Sequence, residues 1–303
     1  MTEVYEELRP LLFSIAYRML GSASEAEDIV QESFLRFHQA QEEQKIGNVK
    51  AYLAQITTRL SIDHLRSARV RRETYTGTWL PEPLLTEQVP DVSQHAETAD
   101  SLSMAFLVLL ESLSPVERAV FLLREVFDYP YDEIAETIGK SEENARQLAV
   151  RARRHVEERK PRFEADKKAR DELAGRFFAA AENGDTEGLV KLLADDVVFY
   201  GDGGGKGPAI ARPLYGADKV ARFMQGLVRQ AQRLEIRLEP TEVNGEPGAV
   251  ARDKYGNVAS VLSMQVADGQ IVSLRSVVNP DKLAHLGPVA DLGGMLKAAR
   301  EAS

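Results

Sequence analysis

The stretch SEENARQLAVRARR, Ser141 to Arg154, carries side chains of the kind that read nucleic acid. Laid on a helix, Ala145, Leu148, Ala149 and Ala152 make one apolar face, while Asn144, Arg146, Gln147, Arg151 and Arg154 stand on the other side or its flank. Amides match the edge of adenine, guanidinium groups match guanine or phosphate, and a helix start capped by Ser141 favours a phosphate. A second basic helix holds Tyr52, Gln55, Thr58, Arg59, Asp63, His64, Arg66 and Arg69. Cations, amides and an aromatic ring together suit a phosphate backbone and unstacked bases, although a solvated basic face reads the same way. Two further stretches combine tight turns with charge: Asp202-Gly203-Gly204-Gly205-Lys206 and Asn279-Pro280-Asp281-Lys282. The first lacks the full spacing of a nucleotide-binding phosphate loop, and both also read as plain turns. Last, TGTWLPEPL places the chain's one tryptophan, Trp79, beside Leu80, Pro81, Glu82 and Pro83. The prolines exclude a helix interior and a central strand, so the backbone is extended. An indole left exposed there forfeits roughly 1.5–3 kcal/mol of burial. Trp79 therefore needs a surface to dock on, and the basic helix just before it is one.

The elements that must position these groups follow from periodicity. Leu8, Leu11, Leu12, Ile15 and Met19 predict a first helix stopped at Gly21. Ser24 to Glu27 has the capping-box pattern and opens a second helix with Ile29, Val30, Phe34 and Phe37 inward. A loop from Gln41 to Asn48 leads to a third, which packs Val49, Leu53, Ile56 and Leu60. From Glu73 to Glu117 there is no lysine or arginine, and Leu84 to about Ala99 reads as a flexible acidic linker. An apolar helix from Leu102 to Leu113 follows. Ser114-Pro115-Val116-Glu117 then starts a helix running to about Phe127, with another over Tyr131–Ile138 and a last from Ser141 to about Glu158. Two helices joined by an Ile-Gly-Lys-Ser turn make a helix-turn-helix. Beyond Pro161 come helices at about 168–183, 187–194 and 217–233, then strand-like runs with turns at Tyr255-Gly256-Asn257 and Asp268-Gly269. That order predicts an α+β domain whose antiparallel sheet curves round a helix.

Composition bounds the function. At roughly 150 residues per domain, 303 residues predict two or three domains. The absence of cysteine excludes a disulfide framework and a thiolate zinc site, and neither a metal nor a cofactor is expected. No basic segment leads into an apolar core at the start, and the run Met104–Leu110 falls short of the roughly 20 residues that cross a bilayer. A soluble, cytoplasmic protein, monomeric when free and without membrane contact, is the expectation. A net charge of −9 argues against tight unaided binding to nucleic acid.

The runs SEAEDIVQESFLRF, VKAYLAQITTRLSIDHLRSARVRR and SPVERAVFLLREVFDYPYDEIAETIGKSEENARQLAVRARRHV, in that order over about residues 5–160, resemble bacterial extracytoplasmic-function sigma factors of the sigma-70 family. From pattern alone Asp28, Gln31, Glu32 and Leu35 form an ordinary charged exterior. The resemblance implies instead that Asp28, Gln31, Glu32, Phe34 and Leu35 bind the β′ clamp of core RNA polymerase, with the β flap as a second contact. It implies that the loop before Val49 and the Tyr52–Arg72 helix open the promoter −10 element, and that Ser141–Arg154 reads the −35 element. Residues from about 168 to 290 look like a SnoaL-like domain, an α+β cone. The joint occurrence of TWLPEP, DGGGK and NPDKL resembles the SigJ-like subgroup, and implies a fused regulator in place of a separate anti-sigma factor. On that resemblance Trp79 and the Pro-Glu-Pro run are expected to dock on the SnoaL-like domain near DGGGK and NPDKL, the alternative being the basic helix. The implied plan is a region 2 helical domain (1–75), a linker with the WLPEP motif (76–100), a region 4 helix-turn-helix (101–162), the SnoaL-like domain (168–290) and a tail (291–303).

Three other readings stay open. SnoaL-like folds also serve cyclases and isomerases, for which Asp202, Asp253, Tyr200, Tyr215 and Arg212 could supply groups, but no spacing fixes a catalytic set. A small ligand in the cone could shift a regulator between states. A polymerase-independent helix-turn-helix regulator would leave the DIVQESFLRF helix and the basic third helix without a role.

Overall fold

Several helix starts in the N-terminal half are set by side-chain caps. The computed structural model describes residues 2–43, 45–73, 75–88, 99–159 and 166–301. The expected acidic linker lies largely outside them, over residues 89–98. Two compact units divide the chain: Met1–Thr74 with Glu87–Pro161, and Tyr75–Thr86 with Arg162–Ser303.

The first unit is all-α. Helices α1 (Thr2–Leu20), α2 (Ala23–Glu43) and α3 (Val49–Glu73) pack on Leu12, Ile15, Met19, Val30, Phe37 and Leu53. The cap of α2 is Ser22 and not Ser24: its Oγ accepts from the Glu25 amide at 3.2 Å. With the chain reversing at Gly21, the helix begins at Ala23 and Ser24 already lies inside it. Asn48 opens α3 by accepting from the Ala51 amide at 3.1 Å. The buried stripe of α3 is Leu53, Ala54, Thr57, Thr58, Ser61, Ile62 and Leu65, so Ile56 and Leu60 are only half-buried. Hydroxyls hid this stripe from a hydrophobicity count. They are satisfied locally, Thr58 by the Ala54 carbonyl at 2.8 Å and Thr57 by Ser33 at 2.9 Å.

Helix α4 (Met104–Leu110) is shorter than the expected span Leu102–Leu113, because Ser103 caps it and the chain turns after Leu110. Helix α5 (Pro115–Phe121) opens with a full capping box between Ser114 and Glu117 and continues through a π turn at Leu122–Val126. Helices α6 (Tyr131–Ile138) and α7 (Glu142–Glu157) form the helix-turn-helix, joined at Gly139 and started by Ser141, which accepts from the Asn144 amide at 3.3 Å. Two buried arginines tie the helical groups of this unit together. Arg118 donates to the Met19 carbonyl at 2.6 Å and to Glu111 at 2.7 Å. Arg18 reaches Ser14 and Ser101, and burial lowers its pKa to about 10.

The second unit is α+β. Helices α8 (Lys167–Glu182), α9 (Thr186–Leu192) and α10 (Ala217–Arg233) lie against one face of a six-stranded sheet. The strands are β1 (Leu193–Asp202), β2 (Leu214–Tyr215), β3 (Arg237–Val243), β4 (Glu246–Arg252), β5 (Val258–Ala267) and β6 (Gln270–Val277), in the order β2-β1-β6-β5-β4-β3. Phe177, Phe199, Met224, Met264 and Leu274 centre the core. The β1–β6 pair is parallel, where an antiparallel sheet was expected. Leu193 and Ala194 belong to β1 and not to the preceding helix. Leu234 to Ile236 stay outside β3, since Leu234 closes α10 and Glu235 is left-handed at φ 54°. The β3–β4 turn is Asn244-Gly245, both at positive φ, a hairpin signal the strand reading passed over. The expected tail holds helix α11 (Leu292–Glu301). Among the described residues no helix is long and apolar enough to cross a membrane.

The capping box of α5 is open to test. Ser114→Ala is expected to cost about 1 kcal/mol, read as a lower urea midpoint with faster exchange of the Glu117 amide.

Candidate functional site

Three exposed helix faces and one buried knot hold the residues singled out above. On α7 the small residues Ala145, Ala149 and Ala152 let the helix sit close to α5 and α6, which turns the long side chains outward. Asn144, Gln147 and Arg151 are exposed and carry no side-chain partner among the described residues. Val150, 65% exposed, stands between them. Arg146 pairs with Glu142 and lies 4.5 Å from the Tyr131 ring, and Arg154 pairs with Glu158 at 3.0 Å. Exposed pairs of this kind are worth about 0.3–0.5 kcal/mol, so an arriving phosphate can displace them.

On α3, Tyr52 packs beside Phe37, their rings 6.2 Å apart, and lines a 270 Å³ cleft with Lys45, Asn48 and Gln55. The opposite wall comes from Tyr129, Glu133, Glu136 and Thr137, and burial raises the Tyr129 phenol to about 12. Arg59 donates to the Thr137 carbonyl at 2.9 Å and to Glu136 at 2.8 Å, so it caps the C-terminal end of α6. Asp63 and Arg66 form an exposed pair at 3.2 Å, and His64 lies 3.0 Å from Glu25. Arg69 falls in the last turns of α3, and its side chain lies outside the described residues. Thr58 is buried, so it leaves the outward set.

On α2, Asp28, Gln31 and Leu35 are exposed, Leu35 by 60%. Glu32 pairs with Arg36 at 2.7 Å, and Phe34 is half-buried against Tyr5. The face is a leucine ringed by carboxylates and an amide.

The knot lies within the second unit. Asp202 ends β1 with its carboxylate fully buried, and three donors converge on it: the Tyr75 hydroxyl at 2.5 Å, the Leu80 amide at 2.7 Å and the Lys282 ammonium at 2.7 Å. Lys282 also donates to the Leu80 carbonyl and lies 4.4 Å from the Trp79 ring centre and 4.7 Å from that of Tyr75. Asn279 caps the helical turn Pro280–Leu283 and donates to the Tyr75 oxygen at 2.9 Å. Glycine is required in the 203–207 loop: a Cβ on Gly207 would stand 2.3 Å from the Val278 carbonyl, and one on Gly204 2.2 Å from Asn279. Gly203 is shut in by the Gly207 carbonyl, and Gly205 sits against Thr76. Lys206 pairs with Asp281 at 2.6 Å in the open.

From this knot the segment runs on with Leu80, Pro81, Glu82 and Pro83 buried, to the β3–β4 turn. There Leu84 donates to Asn244 Oδ1 at 2.8 Å and accepts from the Asn244 amide at 2.8 Å. His285 approaches the Pro83 carbonyl at 2.8 Å and lies 3.8 Å from Glu82. Tyr75, Asn244 and His285 were missed by the sequence reading, and of these only Asn244 had a signal, its Asn-Gly dipeptide. Burial and the bond to Asp202 raise the Tyr75 phenol above its ordinary range.

The groups considered for proton chemistry do not converge. Asp202 is held in the knot, Asp253 fastens the 253–257 turn, Tyr200 lies under the Arg275 guanidinium, and Tyr215 is exposed. Arg212 is also exposed. No group of three or more metal-ligating side chains occurs among the described residues.

The chain is similar to three family models in succession: Sigma-70 region 2 over residues 4–71, Sigma-70 region 4 over 103–156, and the SnoaL-like domain over 174–275. It is 42% identical over 293 residues to the ECF RNA polymerase sigma factor SigJ of Mycobacterium tuberculosis, covering 92% of this chain and 91% of that one. It is 33% identical over 294 residues to a probable ECF RNA polymerase sigma factor, SigI, of the same organism, covering 94% and 95%. The crystal structure of the M. tuberculosis SigJ protein matches with a TM-score of 0.74 at 37% identity, over 94% of this chain and 98% of that one.

Two outcomes test the knot. Asp202→Asn leaves the Lys282 ammonium buried without its counter-charge, at a cost of about 3–5 kcal/mol. The lone tryptophan reports it, as a red-shifted Trp79 emission at lower urea. Tyr75 sets the alkaline limit. A phenol held above its ordinary value binds its proton more tightly docked than free. Docking is then complete below the free value of about 10 and is lost as pH rises above it. In Tyr75→Phe this part of the Trp79 pH profile is expected to be flat.

Proposed function

Because the chain belongs to the extracytoplasmic-function RNA polymerase sigma factors, which direct RNA polymerase to promoter elements and are not catalysts, we propose that its SnoaL-like domain governs this activity by holding the connection between regions 2 and 4. The observation that carries the proposal is the knot. Residues Tyr75–Thr86, encoded between the two promoter-reading regions, belong to the C-terminal unit and are fastened there by Asp202 and Lys282. Reading two promoter elements at once demands a defined reach between the two regions. A docked extended segment fixes that reach, while a released one adds slack and conformational entropy.

Within this reading, Asp28, Gln31, Glu32, Phe34 and Leu35 meet the β′ clamp, and region 4 meets the β flap. Asn144, Arg146, Gln147, Arg151 and Arg154, with the Ser141 helix start, read the −35 duplex. Tyr52, His64, Arg66 and Arg69 follow the −10 strand, and Asp63 borders them. Arg59 joins that strand only after leaving the end of α6. The protein works in the cytoplasm, where core polymerase and promoter DNA are, and is a monomer when free. An acidic chain with local basic faces suits DNA binding that depends on polymerase to position it.

Run-off transcription with core RNA polymerase tests the proposal. Leu35→Asp is expected to lower core binding more than about tenfold, and Arg151→Ala to leave core binding intact while lowering initiation by about tenfold, the worth of one good base contact. Lys282→Met, which frees the tether, is expected to change run-off yield severalfold at unchanged core affinity. An unchanged yield in a variant whose Trp79 emission shows release would remove the governing role.

A further inference from the structure

The helix-packed side of the second unit is not filled. Between α8, α10 and the sheet lies an apolar cavity of about 120 Å³, walled by Phe177, Phe178, Met224, Leu227, Leu262 and Leu292, among others. Engineered cavities of about 150 Å³ with such a lining hold a benzene ring, so this one takes a short alkyl segment. Gln230 and Leu234 also line a second space, a groove of about 470 Å³ between α10 and α11. Its floor is Gly226, Leu234, Leu296 and Ala299, and its rim is Arg229, Arg233 and Arg300. A Cβ built on Gly226 would meet nothing within 4 Å. The three guanidinium groups are exposed and have no ion-pair partner among the described residues, in a chain whose net charge is −9. Helix α11 lies over the mouth by a stripe, Leu292, Met295, Leu296 and Ala299, yet none of its residues is fully buried.

We propose that the cavity and groove together form a binding site for a single-chain amphiphilic anion. An alkyl tail lies along the groove floor and ends in the cavity past Gln230 and Leu234, and a carboxylate or phosphate head lies on Arg229, Arg233 and Arg300 under α11. The apolar lining excludes a polar tail, and an arginine rim discriminates against an uncharged head. The site shares a wall with the knot. Pro208 and Val278 line the cavity, and the Val278 amide donates to the Asp202 carbonyl at 2.8 Å. This binding claim stands apart from the transcriptional reading and is tested on the free chain.

Calorimetry of the full chain with octanoate, octyl phosphate and octanol decides it. Binding of at least one anion, with octanol about tenfold weaker or more, is the expected result. The tighter of the two anions identifies a fatty acid or a phosphate-headed lipid as the source. The double change Arg229→Gln, Arg233→Gln should lower anion affinity about tenfold and leave octanol unchanged. Gly226→Leu fills the groove floor while favouring the helix, so it should lower binding without harm to thermal stability. Equal affinity for octanol and the anions, or no binding by any of the three, would overturn the proposal.

Discussion

A lysine ammonium withdrawn from water must have its charge balanced and its donors met, and much of the second unit is arranged around that requirement at Lys282. Its side chain is 9% exposed and the Asp202 carboxylate it faces is fully buried. Each partner alone would be a serious defect in an apolar setting; together, with the Leu80 peptide and two aromatic faces, they form a closed set. That closure dictates the surroundings. Positions 204 and 207 must be glycine to let Asn279 and Val278 come close, and Asn279 must cap its helical turn to aim Lys282 inward. The tether contributes main-chain groups as well as side chains, so its position follows from backbone geometry and not from a single anchor.

The same economy of polar groups governs the first unit. Arg18 and Arg118 are buried: Arg18 ends on the hydroxyls of Ser14 in its own helix and of distant Ser101, and Arg118 on the Met19 carbonyl and the Glu111 carboxylate. Arg59 uses the Glu136 and Thr137 carbonyls at the end of α6 in the same manner, which holds α3 beside the helix-turn-helix. A residue suited to nucleic acid is thus satisfied by protein in the free chain. Its exchange of one set of oxygens for phosphate oxygens is close to balanced, which suits a reversible contact.

Local chemistry was legible in the sequence and long-range pairing was not. Ser114 and Ser141 stood out as caps because a cap and its amide lie three residues apart. Ser22 was passed over for Ser24 because both fit the same spacing, and only the turn at Gly21 decides between them. The apolar face of α7 was visible, while the hydroxyl-rich stripe of α3 was not, since Thr57, Thr58 and Ser61 count as polar until their acceptors are known. Alternation marks a strand without giving its direction, so the parallel β1–β6 pair could not be read. Asp202 and Lys282 entered through family resemblance. Tyr75 and His285 have partners more than a hundred residues away, and no periodicity points to them.

The sequence distance inside the knot also has a meaning in time. Lys282 lies 202 residues beyond Leu80 along the chain. At about 5–20 residues per second of synthesis, Leu80 is added to the chain some 10–40 s before Lys282. From the completion of region 4 at about residue 156 until Lys282 is added, regions 2 and 4 are joined by an unfastened segment. Each newborn copy therefore passes through an untethered state before its own C-terminal half can hold it.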